Sequence, residues 1–287
     1  MKKIFSLFAL AIILFSIQSC NRLQDDNGDM LNDIDMTQDV LSSDRFLYRE
    51  YNQGQKEKEY HYDQRKLVEV VRLMESAVVT LEYNGNTLDK VHYTKDDGTN
   101  NITYTRVYRY DEQKKVEKIR EVKQITAEGQ VTPTVHRSVY TISYDGSSKL
   151  KTILMKTGQE VTGQDFAFTG YSKADFVYQG NNIVQQNKIY GLMDGQELGE
   201  VVSETTYVYD RYDDKKTPFS LLPYRYRLSQ LLDYEAEAYR FSENNTRKIT
   251  VSSTQNPLPV SVTTLFTYDE EGYALLGYGK SYDYRPF

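Results

Sequence analysis

The chain has 287 residues, enough for one large domain or two modest ones, and its 35 Lys and Arg against 41 Asp and Glu give a net charge of −6. That balance leaves no basic patch large enough to dominate a nucleic-acid interface, which removes nucleic acid from the expected partners. Twenty-six tyrosines, no tryptophan, 13% aromatic residues, 16 glycines and only 6 prolines favour ordered β-structure over disorder, so the composition reads as tyrosine-rich and all-β.

Met1, Lys2 and Lys3 form a positive start, and Ile4 to Ile17 is an apolar run broken only by Ser6 and Ser16. The run has the length of a signal-peptide core and falls short of the ~20 residues that span a bilayer. It closes on Ile17-Gln18-Ser19-Cys20, which resembles the lipobox of a bacterial lipoprotein, with Gln18 where a small residue is more usual. Cys20 is the only cysteine, so neither a disulfide nor a cysteine-based metal site is available. The resemblance implies a signal peptide over 1–19 and a lipid on Cys20. Several acyl chains, at ~0.8 kcal/mol per buried CH2, would anchor the mature protein to a membrane without spanning it. The alternative is a free thiol at the end of an ordinary signal peptide.

Residues 20–43 read as a tether, because six aspartates against Arg22 alone make a self-repelling, extended segment. Gln24-Asp25-Asp26 resembles the signal that directs Bacteroidota lipoproteins across the outer membrane, which implies exposure at the cell surface; a periplasm-facing lipoprotein is the alternative. Asp25-Asp26-Asn27-Gly28-Asp29 matches part of a calcium loop but lacks its closing bidentate Glu, and a solvated linker is favoured.

From Asp44 to Phe287 the sequence reads as one domain built on a degenerate repeat: an aromatic residue, any residue, Tyr, then Asp or Asn, a polar turn and a short strand rich in Lys. Copies include Tyr60-His61-Tyr62-Asp63, Tyr83-Asn84-Gly85, Tyr108-Arg109-Tyr110-Asp111 and Tyr144-Asp145-Gly146. Weaker ones follow at Phe176-Val177-Tyr178, Tyr207-Val208-Tyr209-Asp210, Phe241-Ser242-Glu243-Asn244-Asn245 and Phe266-Thr267-Tyr268-Asp269. Aromatics at i and i+2 share one face of a strand, and Asp or Asn followed by Gly or Asn starts a turn, so each copy predicts a β-hairpin. Leu88 and Val91, Val116 and Ile119, and Leu150 and Ile153 are three apart, which is the wrong parity for one face. Either a β-bulge re-aims the second residue or both faces are covered; the polar residues between the pairs favour the bulge.

The repeat resembles, in degenerate form, the Tyr-Asp repeats of large secreted bacterial shells. Tyr209-Asp210 through Asp213-Asp214-Lys215-Lys216-Thr217-Pro218-Phe219, Ser242-Glu243-Asn244-Asn245 and the closing Phe266 to Tyr273 are more specifically similar to a family of Bacteroidota outer-membrane lipoproteins whose function is unknown. That resemblance implies a long antiparallel meander forming a curved sheet or partial barrel, and carries no activity or site residues; Tyr212 departs from the pattern and lengthens the sixth turn. Between repeats, Leu228, Leu231, Leu232 and Glu235 have helical spacing with Pro223 upstream. This predicts a short helix over 227–238, with a long hairpin connection as the alternative.

Chemistry is sparse. His61, His92 and His136 have no second His at ligand spacing, so no metal is expected, and no nucleophile elbow, second cysteine or phosphate loop occurs. Adjacent carboxylates such as Asp96-Asp97, Asp213-Asp214 and Glu270-Glu271 sit in turns and do not face each other across a cleft. The expectation is a non-enzymatic module without cofactor that binds a glycan, peptide or partner protein. A carrier of an apolar ligand in a sheet groove is the runner-up, and a hydrolase the third reading. Most tyrosines read as cross-strand packing, with Tyr224, Tyr226 and Tyr234 in the interrupting segment as the candidate ligand contacts. A Leu, Ile and Phe lining of the concave face would favour the carrier; a polar, tyrosine-rich lining would favour the binding module.

Overall fold

The computed structural model describes residues 39–287; the signal peptide over 1–19, Cys20 and the tether as far as residue 38 lie outside them. Seventeen strands occur among the described residues. The first nine are β1 (Arg45–Asn52), β2 (Gln55–Asp63), β3 (Lys66–Arg72), β4 (Ala77–Asn84), β5 (Thr87–Asp96), β6 (Asn100–Tyr110), β7 (Val116–Ala127), β8 (Thr134–Tyr144) and β9 (Leu150–Gln159). Then come β10 (Gly170–Gln179), β11 (Asn182–Asp194) and the long β12 (Glu197–Lys216). After a helical insertion the chain returns as β13 (Asn244–Ser253), β14 (Val260–Thr263), β15 (Thr267–Tyr268), β16 (Ala274–Gly277) and β17 (Lys280–Pro286).

From β1 to β14 each strand pairs antiparallel with its successor. Strands β15, β16 and β17 continue the meander, and β17 lies beside β1. No ladder joins β14 to β15, so the sheet curls round without closing. The Thr264 N–H extends the β13–β14 ladder by donating to the Arg247 carbonyl at 2.9 Å, and an isolated parallel bridge joins Lys216, at the end of β12, to Tyr273, just before β16. The all-β meander expected from the repeat is the fold observed.

The repeat unit has a common local geometry. Asp111, Asp145 and Asp269 each donate their N–H to the carbonyl four residues on, and each carboxylate accepts the N–H of that same residue, Lys115, Lys149 or Tyr273. After the turn the register slips by one residue in five successive hairpins, where Tyr62, Tyr83, Tyr110, Tyr144 and Tyr178 face Leu67, Leu88, Val116, Leu150 and Ile183. The extra residues are Val68, Asp89, Glu117, Lys151 and Val184. Each bulge turns the residue three positions after the facing one back to the inner face, which is how Leu88 with Val91, Val116 with Ile119, and Leu150 with Ile153 are buried together.

The bulge also explains the tyrosines. Tyr83, Tyr110 and Tyr144 donate their hydroxyls to the carbonyls of Leu67, Leu88 and Val116, the residues that precede the bulge in the preceding hairpins. Tyr212, not Tyr209, continues this ladder by donating to the Ile183 carbonyl at 2.5 Å, so the departure at the sixth unit moves the role three residues along. A lysine from the earlier unit covers the next ring: Lys66 over Tyr83, Lys115 over Tyr144 and Lys149 over Tyr178, each 5.7 Å from the centroid. The Lys-rich strand starts of the repeat thus have a packing role. Tyr144→Phe removes one rung and leaves the carbonyl of the buried Val116 without that donor. It should cost about 1–2 kcal/mol in urea unfolding; no loss would show that water takes the rung over.

The insertion between β12 and β13 fills the concave side. It runs as a 3-10 turn (Pro218–Leu221), an α-helix α1 (Tyr224–Asp233) and a second 3-10 segment (Glu235–Phe241). The α-helix begins directly after Pro223, whose fixed φ suits a helix start, and ends at Asp233 instead of extending over 227–238. It stops where Asp233 and Tyr234 both bond to the sheet and the chain turns back. Side chains of the insertion meet strands on every side. Tyr226 packs on Tyr60 of β2, Arg106 of β6 bonds Ser229, Tyr209 of β12 bonds the Ala236 carbonyl, and Phe219 packs on Tyr282 of β17.

Residues 39–43, read from sequence as the end of a solvated tether, are docked. Asp39 is buried, accepts the Leu88 N–H at 2.7 Å and pairs with Arg225 of α1 at 2.7 Å. Val40 bridges to Lys66, and Leu41 bonds the Arg65 carbonyl. The chain therefore meets the sheet at the end that carries the Asp and Asn turns, the near end.

Candidate functional site

The hairpin connections at 73–76, 97–99, 128–133 and 160–169 lie at the opposite, far end, where β5 to β9 continue past the insertion. A cleft of about 530 Å³ opens there. Its floor is Leu232, Asp233 and Tyr234 at the end of α1, and its wall is the inner face of β3 to β9.

The base of the cleft is an ion network. Asp233 accepts from Arg72 at 2.8 Å and from Arg106 at 2.7 Å, and the Tyr104 hydroxyl reaches the same carboxylate at 2.8 Å. Arg106 also binds Glu121 at 2.6 Å and the Ser229 carbonyl and hydroxyl of α1, while Arg72 lies 3.6 Å from Glu75. Burial alone would raise the Asp233 carboxyl, but Arg106 and Arg72 more than offset it and hold it below the ordinary carboxylate range. Burial pushes the Tyr104, Tyr140 and Tyr234 phenols above their ordinary range, so at neutral pH each is a hydroxyl and not a phenolate.

Tyr93 and Tyr104 stack at 4.6 Å, and the outer faces of the pair are closed by Arg72 and Arg106, so this aromatic pair offers no platform to a ligand. Higher on the wall stand Lys95, Ile102, Lys123, Ile125, His136, Ser138 and Thr157. Lys95 is tied to Asp97 at 2.9 Å, and the Ser138 and Thr157 hydroxyls bond each other at 2.9 Å. Lys123 and His136 are cross-strand partners on β7 and β8, and neither has an ion pair or hydrogen bond among the described residues.

The three sequence candidates separate. Tyr224 and Tyr226 are buried inside the insertion, Tyr224 edge-on to Phe241 and Tyr226 fully enclosed with its hydroxyl accepting from Gln230, so neither presents a surface to a ligand in this arrangement. Tyr234 lies in the cleft floor, where its hydroxyl donates to Glu75 and accepts from Arg72. Cys20 lies outside the described residues.

Sequence reasoning passed over Arg72, Arg106, Glu121, Lys123 and His136. A signal was present: Tyr104-Thr105-Arg106-Val107-Tyr108 places an arginine in phase with two inward tyrosines, and a charge at an inward position needs a buried partner. Among the described residues, no three His, Cys, Asp or Glu side chains converge as metal ligands, and no helix is long and apolar enough to cross a membrane.

A second inner surface is apolar. Val260 and Val262 of β14 share the face of Tyr207 and Tyr209 through the β12 to β14 register, yet are 55% and 61% exposed. Leu192, in phase with Lys188 and Tyr190 on β11, is 54% exposed.

No family model and no curated protein matches the chain. The solved structures similar to it include two porin-like proteins. One, a porin-like protein from Bacteroides vulgatus, is 12% identical with a TM-score of 0.49 and covers 85% of this chain and all of that one. The other, a porin-like protein from Bacteroides uniformis, is 10% identical with a TM-score of 0.38 and covers 88% of this chain and all of its own. Likeness at this level bears on neither activity nor ligand.

Proposed function

We infer that the protein is a non-enzymatic binding module of a membrane-anchored lipoprotein and that the far-end cleft takes a polar ligand, a glycan. The carrying observation is the lining: four tyrosines, hydroxyls and charged groups outnumber the apolar Ile102, Ile125, Met155 and Leu232. Its carboxylates are engaged by arginine and tyrosine, with Asp233 held ionised, so a general acid of the kind a glycosidase needs is not supplied by that group. The anchor follows from the lipobox-like Ser19-Cys20, and the surface address from the acidic residues behind it. The cleft opens at the end of the sheet opposite the one where residues 39–41 dock.

A second reading, carriage of an apolar ligand, is favoured by the exposed inward residues Leu192, Val260 and Val262. One experiment separates the two: the full chain in mild detergent is applied to a glycan array, and a parallel sample is extracted and analysed by mass spectrometry. Glycan binding lost on Tyr234→Ala supports the cleft. A co-purified lipid other than the covalent anchor, lost on Val262→Asp, would replace the glycan reading with the carrier.

A further inference from the structure

Resting on the glycan reading of the cleft, we propose that the ligand is acidic: a sugar whose carboxylate sits between the Lys123 ammonium and the His136 imidazole. The ionic groups at the base of the cleft are paired with one another, Arg72 and Arg106 both to Asp233 and each also beside a glutamate, although the buried Arg72 Nε has no acceptor among the described residues. Lys95 is committed to Asp97. Lys123 and His136 are the basic side chains of the cleft that have no ion pair or hydrogen bond among the described residues, and both are half-buried. They face each other across the β7–β8 ladder, which puts their Cβ atoms about 5 Å apart and lets both side chains reach one carboxylate. A charge-assisted hydrogen bond from each would be stronger than any neutral contact the wall can make.

The same wall argues for a sugar over an acidic peptide. It is the face of a sheet whose backbone groups are spent in ladders on both sides from β5 to β8, so a peptide backbone finds no edge to pair with. It offers instead hydroxyls at Ser138, Thr157 and Tyr140, with Ile102 and Ile125 beside Lys123 to meet the C–H face of a ring.

The test is calorimetric titration of the full chain in mild detergent. The probes are oligogalacturonate, its methyl ester, a neutral oligosaccharide, a sulfated oligosaccharide and an oligoglutamate peptide. The expected result is binding of the uronate, a methyl ester weaker by about tenfold or more, and a loss of about tenfold in Lys123→Gln and in His136→Gln with Lys123→Arg retaining affinity. Because Lys123 and His136 make no ion pair or hydrogen bond among the described residues, melting temperatures should change little. The methyl ester comparison stands on the native chain even if a variant misfolds. Equal binding of ester and acid would overturn the carboxylate inference while leaving the glycan cleft intact, and preference for sulfate or for the peptide would overturn it in favour of that class. Binding of none of the sugars would remove the glycan reading and this inference with it.

Discussion

Asp233→Ala is expected to lower unfolding stability by about 3–5 kcal/mol, because it leaves two buried arginines short of their shared carboxylate. Arg72 and Arg106 are each 3% exposed at the side chain, so water cannot take over from Asp233 without opening the cleft floor. Arg106 would keep Glu121, but Arg72 would keep Glu75, at 3.6 Å, as its one carboxylate, beside the Tyr234 hydroxyl at 3.2 Å. The cost is that of a stranded charge and not the net worth of the network, so removing a charge of the opposite sign should restore part of it. Arg72→Met combined with Asp233→Ala should be less destabilised than the sum of the two single variants, as read by urea unfolding. A loss below about 1 kcal/mol for Asp233→Ala would mean that the cleft is wet enough to solvate both guanidinium groups.

The pH dependence has a definite sign. The folded Asp233 carboxyl is held below its ordinary value by Arg106 and Arg72 against the opposing effect of burial, so the unfolded chain takes up its proton first as pH falls. The stabilisation is complete above roughly pH 4, where an unfolded aspartate is ionised, and drains away below it as the pH approaches the folded value. Asp233→Ala should therefore lie closest to the native protein in strongly acidic solution.

Much of the sheet was legible because its information is local. A turn residue, a tyrosine two positions from an aromatic and an apolar pair three apart are enough to write a bulged hairpin, since turn geometry and side-chain alternation act over a few residues. The short helix was legible too, but its inward, buried setting was not, for the opposite reason. Arg225, Arg227, Gln230 and Asp233 make α1 look like a solvated surface helix, yet Arg225 is fully buried and Arg227 nearly so. What makes that burial tolerable comes from far along the chain: Arg106 to Asp233 spans 127 residues, and Asp39 to Arg225 spans 186. Arg227 has the carbonyl of Arg240 and the rings of Tyr224 and Phe241 around it, and burial lowers its guanidinium to about 10. Two of the three tyrosines chosen as ligand contacts thus proved to be packing for this helix. The third reached the cleft because it stands where the helix ends.

The largest second effect is expected at Glu50, on β1. Its carboxylate is fully buried; it accepts from Tyr60 and lies 4.0 Å from Lys58, 3.5 Å from Arg240 and 3.5 Å from Lys280. Arg240 also holds Glu237, and Lys280 also holds Glu57, so each keeps a carboxylate when Glu50 is removed. Lys58 has no other carboxylate within ion-pair distance among the described residues, and burial already lowers it to about 8 even with Glu50 beside it. Glu50→Gln should cost about 3 kcal/mol at neutral pH, at the low end for a broken buried pair because Lys58 can shed its proton. The deficit should then be bell-shaped in pH. On the acid side, Lys58, Arg240 and Lys280 hold the folded Glu50 well below its ordinary range against the pull of burial, so native stability falls as pH drops below roughly 4.3 while the variant lacks that slope. On the alkaline side, Lys58 in the variant is neutral when folded and charged when unfolded over a window that opens below pH 8. Stability of the variant therefore rises with pH across that window, sooner than in the native protein. Unfolding measured from acid to alkali should show the largest gap near neutrality, and a gap that stays constant at both extremes would place the Glu50 contribution in packing and not in charge.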